Sequence, residues 1–586
     1  MDKEHPSFIF EDLQLQMSVP AKFEHLPLLK ENGPADIVFK GGDIYTMDEK
    51  NPQVEALAVK GERILAVGSY AEIEPKIKPG YTKIVFLDGK ALFPGFIEAH
   101  QHATLLAANR FLYIDISGYS RDCQLRTKDQ VLEIISTTVS NADPDEWCMF
   151  LGWDIALIRD LPQLSADIID ELFSKKIPIM IIAQNGHSAW VNHKTFEVCG
   201  ITEDTPNPPG GIYVKDENGN LTGQLLEEPA IMSVISKSPK SPGMFFEAIK
   251  AIHDQWKDYA SRGFTTVTEL AYRPELIQDL WLSLTAGLLD CPIRLALYMN
   301  GVSTNKPSII ESSKLWVAGI KFWADGSPLA GTAAINEPYL RNELTERLSF
   351  PPPPIDCGHL NWPEDELKEK VKFFHDQGKQ ISLHANGERA VQQSLDIFQE
   401  LIEPGDDRRP RLEHVGLITE EQLQKCGEIG VTISFLVHHL YFYGNTFAEY
   451  IVERERTNRW APLAAAIKYL GKISIHQDQP SHPGPPLPFA SMKTAITRTQ
   501  GVGDHDDTVY GKEYCITIEE AIKAYTTGPA YQLFKEKEIG SLEVGKFADL
   551  VILSTNPYKV DPMKLDTDVQ VVETYTGGRC NHIHKN

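Results

Sequence analysis

The chain has 586 residues, too many for one ordinary domain, and 42% of them are apolar, enough to bury a large core. Its formal charge of -24, with no basic tract, argues against phosphate backbones and anionic membranes as partners. The opening MDKEHPSFIFEDLQLQ lacks the basic-then-apolar order of a secretory signal. The longest apolar runs, such as Ile177 to Ala183, are far too short to span a bilayer. Eight scattered cysteines without a CxxC pair read as reduced thiols, so a cytoplasmic protein is expected.

Residues 1–34 hold several prolines and little periodicity, and are expected to form an arm. From Ala35 the runs ADIVFKGGDIYTMD, EALAVKGERILAVG and TKIVFLDGKALFPG alternate in polarity between Gly- and Asp-containing turns, as in a β-meander. The same signature returns in IGSLEVGKFADLVILS and VQVVETYTGGR. Residues 35–92 and 540–586 are therefore expected to build one small β-sandwich domain from both termini. Between them, strands and helices alternate over 93–539, which favours a parallel sheet wrapped in helices. Eight candidate strands occur in order: GFIEAH (95–100), FTTVTEL (264–270), IRLALYM (293–299), GIKFWA (319–324), QISLHA (380–385), RLEHVG (411–416), VTISFL (431–436) and KISIHQD (472–478). Their number fits a closed α/β barrel of the (β/α)₈ TIM type. The long gap after the first strand implies an inserted subdomain over about 118–240.

Polar side chains with metal-binding chemistry fall at the ends of these runs. His100 and His102 end the first, Lys321 lies in the fourth, His384 ends the fifth, His414 sits in the sixth, and Asp478 ends the eighth. The C-terminal strand ends of such a barrel converge on one mouth, where catalytic residues sit. Alternate residues of an extended segment share a face, so His100 and His102 are placed to grip one cation. Any one of these alone reads equally well as a satisfied core histidine or a paired lysine, for instance Lys321 with Asp325. Six of them at one mouth do not.

In this order the landmarks PGFIEAHQH, GWD, GHSAWVN, PGGIYVKDENGNLTGQLLEE, IKFWADGS, HANGERAV, RLEH, HQDQP and GSLEVGKFADLVIL resemble the amidohydrolase superfamily, specifically its amidohydrolase-3 branch of N-substituted formamide deformylase-like enzymes. The resemblance runs from about Ala35 to the C-terminus. It implies a metal centre held by His100, His102, Lys321, His384, His414 and Asp478. Lys321 would be carboxylated to a carbamate bridging two cations, because an ammonium has no lone pair to offer. Zn²⁺ suits such a ligand set best, one ion or two, with other divalent metals compatible. The implied reaction is hydrolysis of an N-acyl or N-formyl amide by water activated on the metal, with Asp478, Lys321 and His414 as the catalytic set. No GxSxG nucleophile motif is present.

The resemblance also points to substrate contacts at Trp153, Asp154, His187, Asn192, Glu227, His439 and Arg498, each with a packing role as its alternative. The branch pattern is departed from at Glu98, Glu388 and His476. His476 shares a face with Asp478 and is placed to crowd or tune the site. A deaminase or cyclic-amide hydrolase on the same centre, and a catalytically silent binding protein, are the competing readings. The expected partner is a small molecule, for whose apolar group Trp147, Trp153 and Trp190 are a hint. A homodimer is compatible with the sequence.

Overall fold

The computed structural model describes residues 33–584 except 105–106, 108–111, 119–126, 144–145, 240–243, 274–281, 283–290, 304–307, 352, 404, 482 and 502–507. The expected N-terminal arm therefore lies, but for Gly33 and Pro34, outside the described residues. All eight candidate segments become strands of one parallel sheet: Phe96–Glu98, Phe264–Tyr272, Arg294–Asn300, Leu315–Trp323, Gln380–Ala385, Arg411–His414, Thr432–Leu436 and Ser474–His476. Neighbours in this order pair in parallel register, with helices such as Glu364–His375, Glu388–Leu401 and Glu420–Ile429 in the connections. The result is a nearly closed (β/α)₈ barrel.

Its seam is unusual. The first and eighth strands are only three residues long, and a third segment sits between them. Ile97 N donates to Tyr525 O at 2.7 Å and Ile475 N to Ala524 O at 3.3 Å, so Ala524–Tyr525 takes up backbone groups that would otherwise face each other across the gap. The Tyr525 ring packs against Phe96 and Phe264, and its hydroxyl accepts from Gln477 Nε2.

A second eight-stranded sheet joins the termini. Ala91–Pro94 pairs antiparallel with Leu550–Leu553, linking the N-terminal strands Ile37–Tyr45, Gln53–Lys60, Arg63–Gly68 and Lys83–Phe86 to the C-terminal Val571–Thr576 and Arg579–Ile583. Phe39, Leu57, Leu92, Leu550 and Tyr575 fill its core, with Phe39 and Tyr575 edge to face at 5.1 Å. The subdomain inserted after the first barrel strand is a six-stranded mixed sheet, ordered Ile212–Lys215, Leu221–Leu226, Ser188–Val191, Ile179–Ala183, Cys148–Trp153 and Ile114–Asp115. It thus begins slightly before the expected boundary, because the short strand at Ile114 pairs in parallel with Cys148–Trp153.

The seven cysteines among the described residues are all free. No helix among the described residues is long and apolar enough to cross a membrane.

The terminal sheet is clamped to the barrel by one buried ion pair. Arg294, at the start of the third barrel strand, bonds Asp549 through two nitrogens at 2.7 and 3.0 Å and stacks its guanidinium on Phe547 at 3.7 Å. The two side chains are 1% and 4% exposed. Removing one partner of such a pair strands the other charge in a dry interior. Asp549→Ala is therefore expected to lower unfolding stability by about 3–5 kcal/mol, whereas Arg294→Met with Asp549→Leu recovers most of it. Urea unfolding of the single and double variants checks this, and a single variant as stable as the parent would refute the clamp.

Candidate metal centre

The site is built on a charged strand pair inside the barrel. On the sixth strand Arg411 and Glu413 are two residues apart, so both point inward, and both are 0% exposed. Arg411 Nε lies 2.8 Å from Glu413 Oε1, while its terminal nitrogens donate to Tyr298 Oη, to Ala99 O and to Glu413 Oε2 at 2.9, 2.8 and 3.1 Å. Ser382 on the fifth strand adds a donor to Glu413 Oε1 at 2.8 Å. Burial opposes ionisation of Glu413, but Arg411 beside it and the bond from His100 outweigh that and hold the carboxyl well below the usual carboxylate range.

Glu413 Oε2 then accepts from His100 Nδ1 at 2.8 Å. This fixes the ring and its tautomer and leaves Nε2 as a lone-pair donor toward the mouth, as carboxylate-backed imidazole ligands are held.

The strand register stops short of the residues that matter. The first strand ends at Glu98 and the eighth at His476, so His100, His102 and Asp478 lie just past these strands, His102 in an isolated bridge to Glu269. His414 and Asp478 have left-handed backbones, with φ of 74° and 54°. Non-glycine residues adopt that conformation at a cost, and only where the surroundings hold it.

These segments bring His100, His102 and Asp478 together. Asp478 Oδ1 is 3.3 Å from His100 Nε2 and 3.3 Å from His102 Nε2. Two ligands at 2.0–2.1 Å from a tetrahedral zinc lie roughly 3.3 Å apart, so this is the spacing of donors sharing one cation. Asp478 Oδ1 and His102 Nδ1 are buried and make no hydrogen bond within the chain, which leaves both atoms with capacity for a ligand. These three donors therefore fit a divalent cation.

A second group of donor atoms, from His100, His414 and His476, adjoins the first. His476 Nε2 is 3.0 Å from His414 Nδ1, and His414 Nδ1 is 3.9 Å from Asp478 Oδ2. Burial is the main cause holding His384, His414 and His476 well below the ordinary histidine range, as neutral imidazoles. Burial also opposes the charged form of His102, but Asp478 and Glu269 outweigh it and set that group at about 9.

The remaining two expected ligands flank this cluster. Lys321 is level with Ser382 across the fourth and fifth strands and is 1% exposed. Burial lowers its amine to about 8, against the pull of Glu413 and Asp478. Asp325, its candidate ion-pair partner, instead accepts backbone N–H groups from Ala334, Asn386 and Gly387, each at 2.9 Å, and lies 3.5 Å from His384. His384 bonds Gly326 O through Nε2 at 2.9 Å and packs its ring 4.4 Å from that of His414.

The expected substrate contacts divide sharply. His187 lines a cavity of about 160 Å³ that opens beside His102 and Glu269. Its Nδ1 donates to Glu227 Oε2 at 2.7 Å, and its ring lies 5.2 Å from that of His384. Glu227 reaches this position from a left-handed backbone, and Gly326 makes room, since a Cβ there would lie 2.2 Å from Glu227 Oε1.

Trp153 and Asp154 line a smaller neighbouring space, and Asp154 accepts from the Tyr443 hydroxyl at 2.7 Å and from Leu157 N at 3.1 Å. Asn192 caps the helix His193–Cys199, accepts from Thr195 and Ile179 N–H groups and donates to Ser174 O and Ile177 O. Arg498 bonds four backbone carbonyls, of Tyr510, Ala461, Asn458 and Trp460, and burial lowers its guanidinium to about 10. His439 accepts from Trp460 Nε1 at 3.3 Å. Asn192, His439 and Arg498 are thus brought to neither the cation donors nor the cavity.

Sequence reasoning passed over Glu413, Arg411, Glu269, Trp323 and Arg273. Glu269 is 1% exposed, accepts from the Thr104 N–H and hydroxyl, and comes within 3.6 Å of His102 Nδ1. Trp323 and Arg273 line the cavity, the latter paired with Glu228. A signal existed for three of them: charged residues inside the apolar strand runs FTTVTEL and RLEHVG are rarely buried without a partner or a task.

Comparison with known proteins agrees with this architecture. A plant protein, LONG AFTER FAR-RED 3 of Arabidopsis thaliana, is 27% identical over 93% of this chain and 91% of its own. The N-substituted formamide deformylase of Arthrobacter pascens is 24% identical over 93% and 97%. Among solved structures, an uncharacterized metal-dependent hydrolase from Pyrococcus horikoshii superposes with a TM-score of 0.65 at 20% identity, over 90% of this chain and 99% of that one, a likeness of fold. The Amidohydrolase family matches residues 83–582, and the chain belongs to that family.

Proposed function

We propose that this chain is a metal-dependent hydrolase that cleaves a carbon–nitrogen amide bond, N-acyl or N-formyl, of a small molecule. The observation that carries the reading is Asp478 Oδ1, equidistant at 3.3 Å from two imidazole nitrogens and without a hydrogen bond of its own. The deformylase named among the relatives favours C–N hydrolysis over other reactions of such a centre. Zn²⁺ fits the donor set, and when bound it would polarise the scissile carbonyl and lower the pKa of water toward about 7.

The chain's own residues supply the rest. Asp478 takes a proton from the attacking water and returns it to the leaving nitrogen, so that one water yields an acid and a free amine. His187, steadied by Glu227, faces the cavity and offers Nε2 to the substrate amide. Leu151, Ile182, Ile231 and Met232 line the far wall and accommodate an apolar substituent. Lys321, buried and not ion-paired with Asp325, has the setting of an amine that reacts as its neutral form; adding to CO₂ and losing a proton gives the carbamate that two cations would share.

Four measurements test this. The purified chain is expected to contain zinc or a similar divalent metal by elemental analysis, to lose it in His100→Ala, and to release free amine rather than ammonia from N-acyl or N-formyl substrates. Glu413→Gln, which keeps every donor but loosens His100, is expected to weaken metal affinity about 10–100-fold. A metal-free wild type, or ammonia as the product, would overturn the reading. Isotopically labelled bicarbonate is expected to give a carbamate carbon resonance in the wild type and none in Lys321→Ala; the same spectrum from both removes the carbamate.

A further inference from the structure

His476 has no place in the ligand set drawn from the family resemblance, yet it is held as ligands are held. It is 0% exposed, on the last residue of the eighth strand. Ser434 Oγ lies 2.8 Å from its Nδ1, which orients the ring and leaves Nε2 directed into the barrel. A hydroxyl both donates and accepts, so Ser434 supports either tautomer of His476, including the one whose Nε2 carries a lone pair.

The ring stacks on His100, with centroids 4.6 Å apart and planes at 18°. His476 Nε2 and His414 Nδ1 are 3.0 Å apart, near the roughly 3.3 Å edge of a tetrahedral zinc site, and the nitrogens of His100, His414 and His476 all lie within 4.8 Å of one another. His100 brings its Glu413 support and His476 its Ser434 support, so two of the three rings already have the outer hydrogen bond that metal-binding histidines use.

We propose that His476 is a metal ligand, completing with His100 and His414 an all-imidazole seat deeper in the barrel than the His100–His102–Asp478 seat at the mouth. The two seats share the single free nitrogen of His100 and so compete for it, and the all-imidazole seat takes the first cation. Three neutral imidazoles favour zinc, cobalt or copper over magnesium or calcium. This rests on the metal-dependent reading of the site and adds a ligand to it.

The test uses the full chain stripped of metal and titrated with cobalt(II). X-ray absorption of the one-equivalent complex is expected to show three imidazoles in the wild type and two in His476→Gln. Gln places a polar group where Nε2 was and can still hydrogen-bond His414, but it is a poor ligand. The variant is expected to bind cobalt at least about tenfold more weakly and to show a smaller cobalt-induced rise in Tm, while the metal-free Tm stays unchanged.

A wild-type shell with two imidazoles, or a variant with unaltered affinity and shell, overturns the role of His476 and leaves the proposed function standing. A wild type that binds no cobalt sinks both. Should the variant fail to fold, the wild-type imidazole number decides alone.

Discussion

The contact on which the site depends is the buried pair of Arg411 and Glu413. Two full charges in a dry barrel interior are costly unless each satisfies the other, and here the guanidinium also ties Tyr298 and Ala99 while the carboxylate ties Ser382 and His100. The pair thus fixes four barrel elements to one point. Its surplus acceptor capacity is directed to His100, the one side chain common to both groups of cation donors. The placement of His100 therefore rests on an electrostatic peg within the barrel.

That arrangement explains a division of labour. Backbone strain falls at His414, the last residue of its strand, and at Asp478, just past the end of its own, where a rigid support beneath can absorb it. The inserted sheet, by contrast, contributes His187 and the apolar wall, and it meets the barrel loops through contacts such as Asp154 with Tyr443. The candidate cation donors and most of the apolar cavity wall thus come from different parts of the chain.

The barrel was legible because eight apolar runs alternate with helical segments, five of them carrying metal-compatible side chains at or near their C-terminal ends. That His100, His102, His414 and Asp478 come close together was legible for the same reason. Asn192, His439 and Arg498 were not: a motif marks a residue as constrained, but whether it caps a helix, braces an indole or gathers carbonyls depends on contacts between segments remote in the chain. Arg411 and Glu413 were overlooked for the opposite reason. They stand inside a run read as strand, where two charges at alternate positions were a signal left unread.

The segment that fills the barrel seam bears on how the molecule is made. Until Ala524 and Tyr525 have been synthesised, the edges of Phe96–Glu98 and Ser474–His476 lack their backbone partner, and the N-terminal strands wait still longer, with Arg63 bonding Gly545 at a separation of 482 residues. A chain emerging from the ribosome must keep the Phe96–Glu98 edge from pairing elsewhere until most of it has been made. Closure of the barrel is therefore a late event, set by contacts remote in the chain.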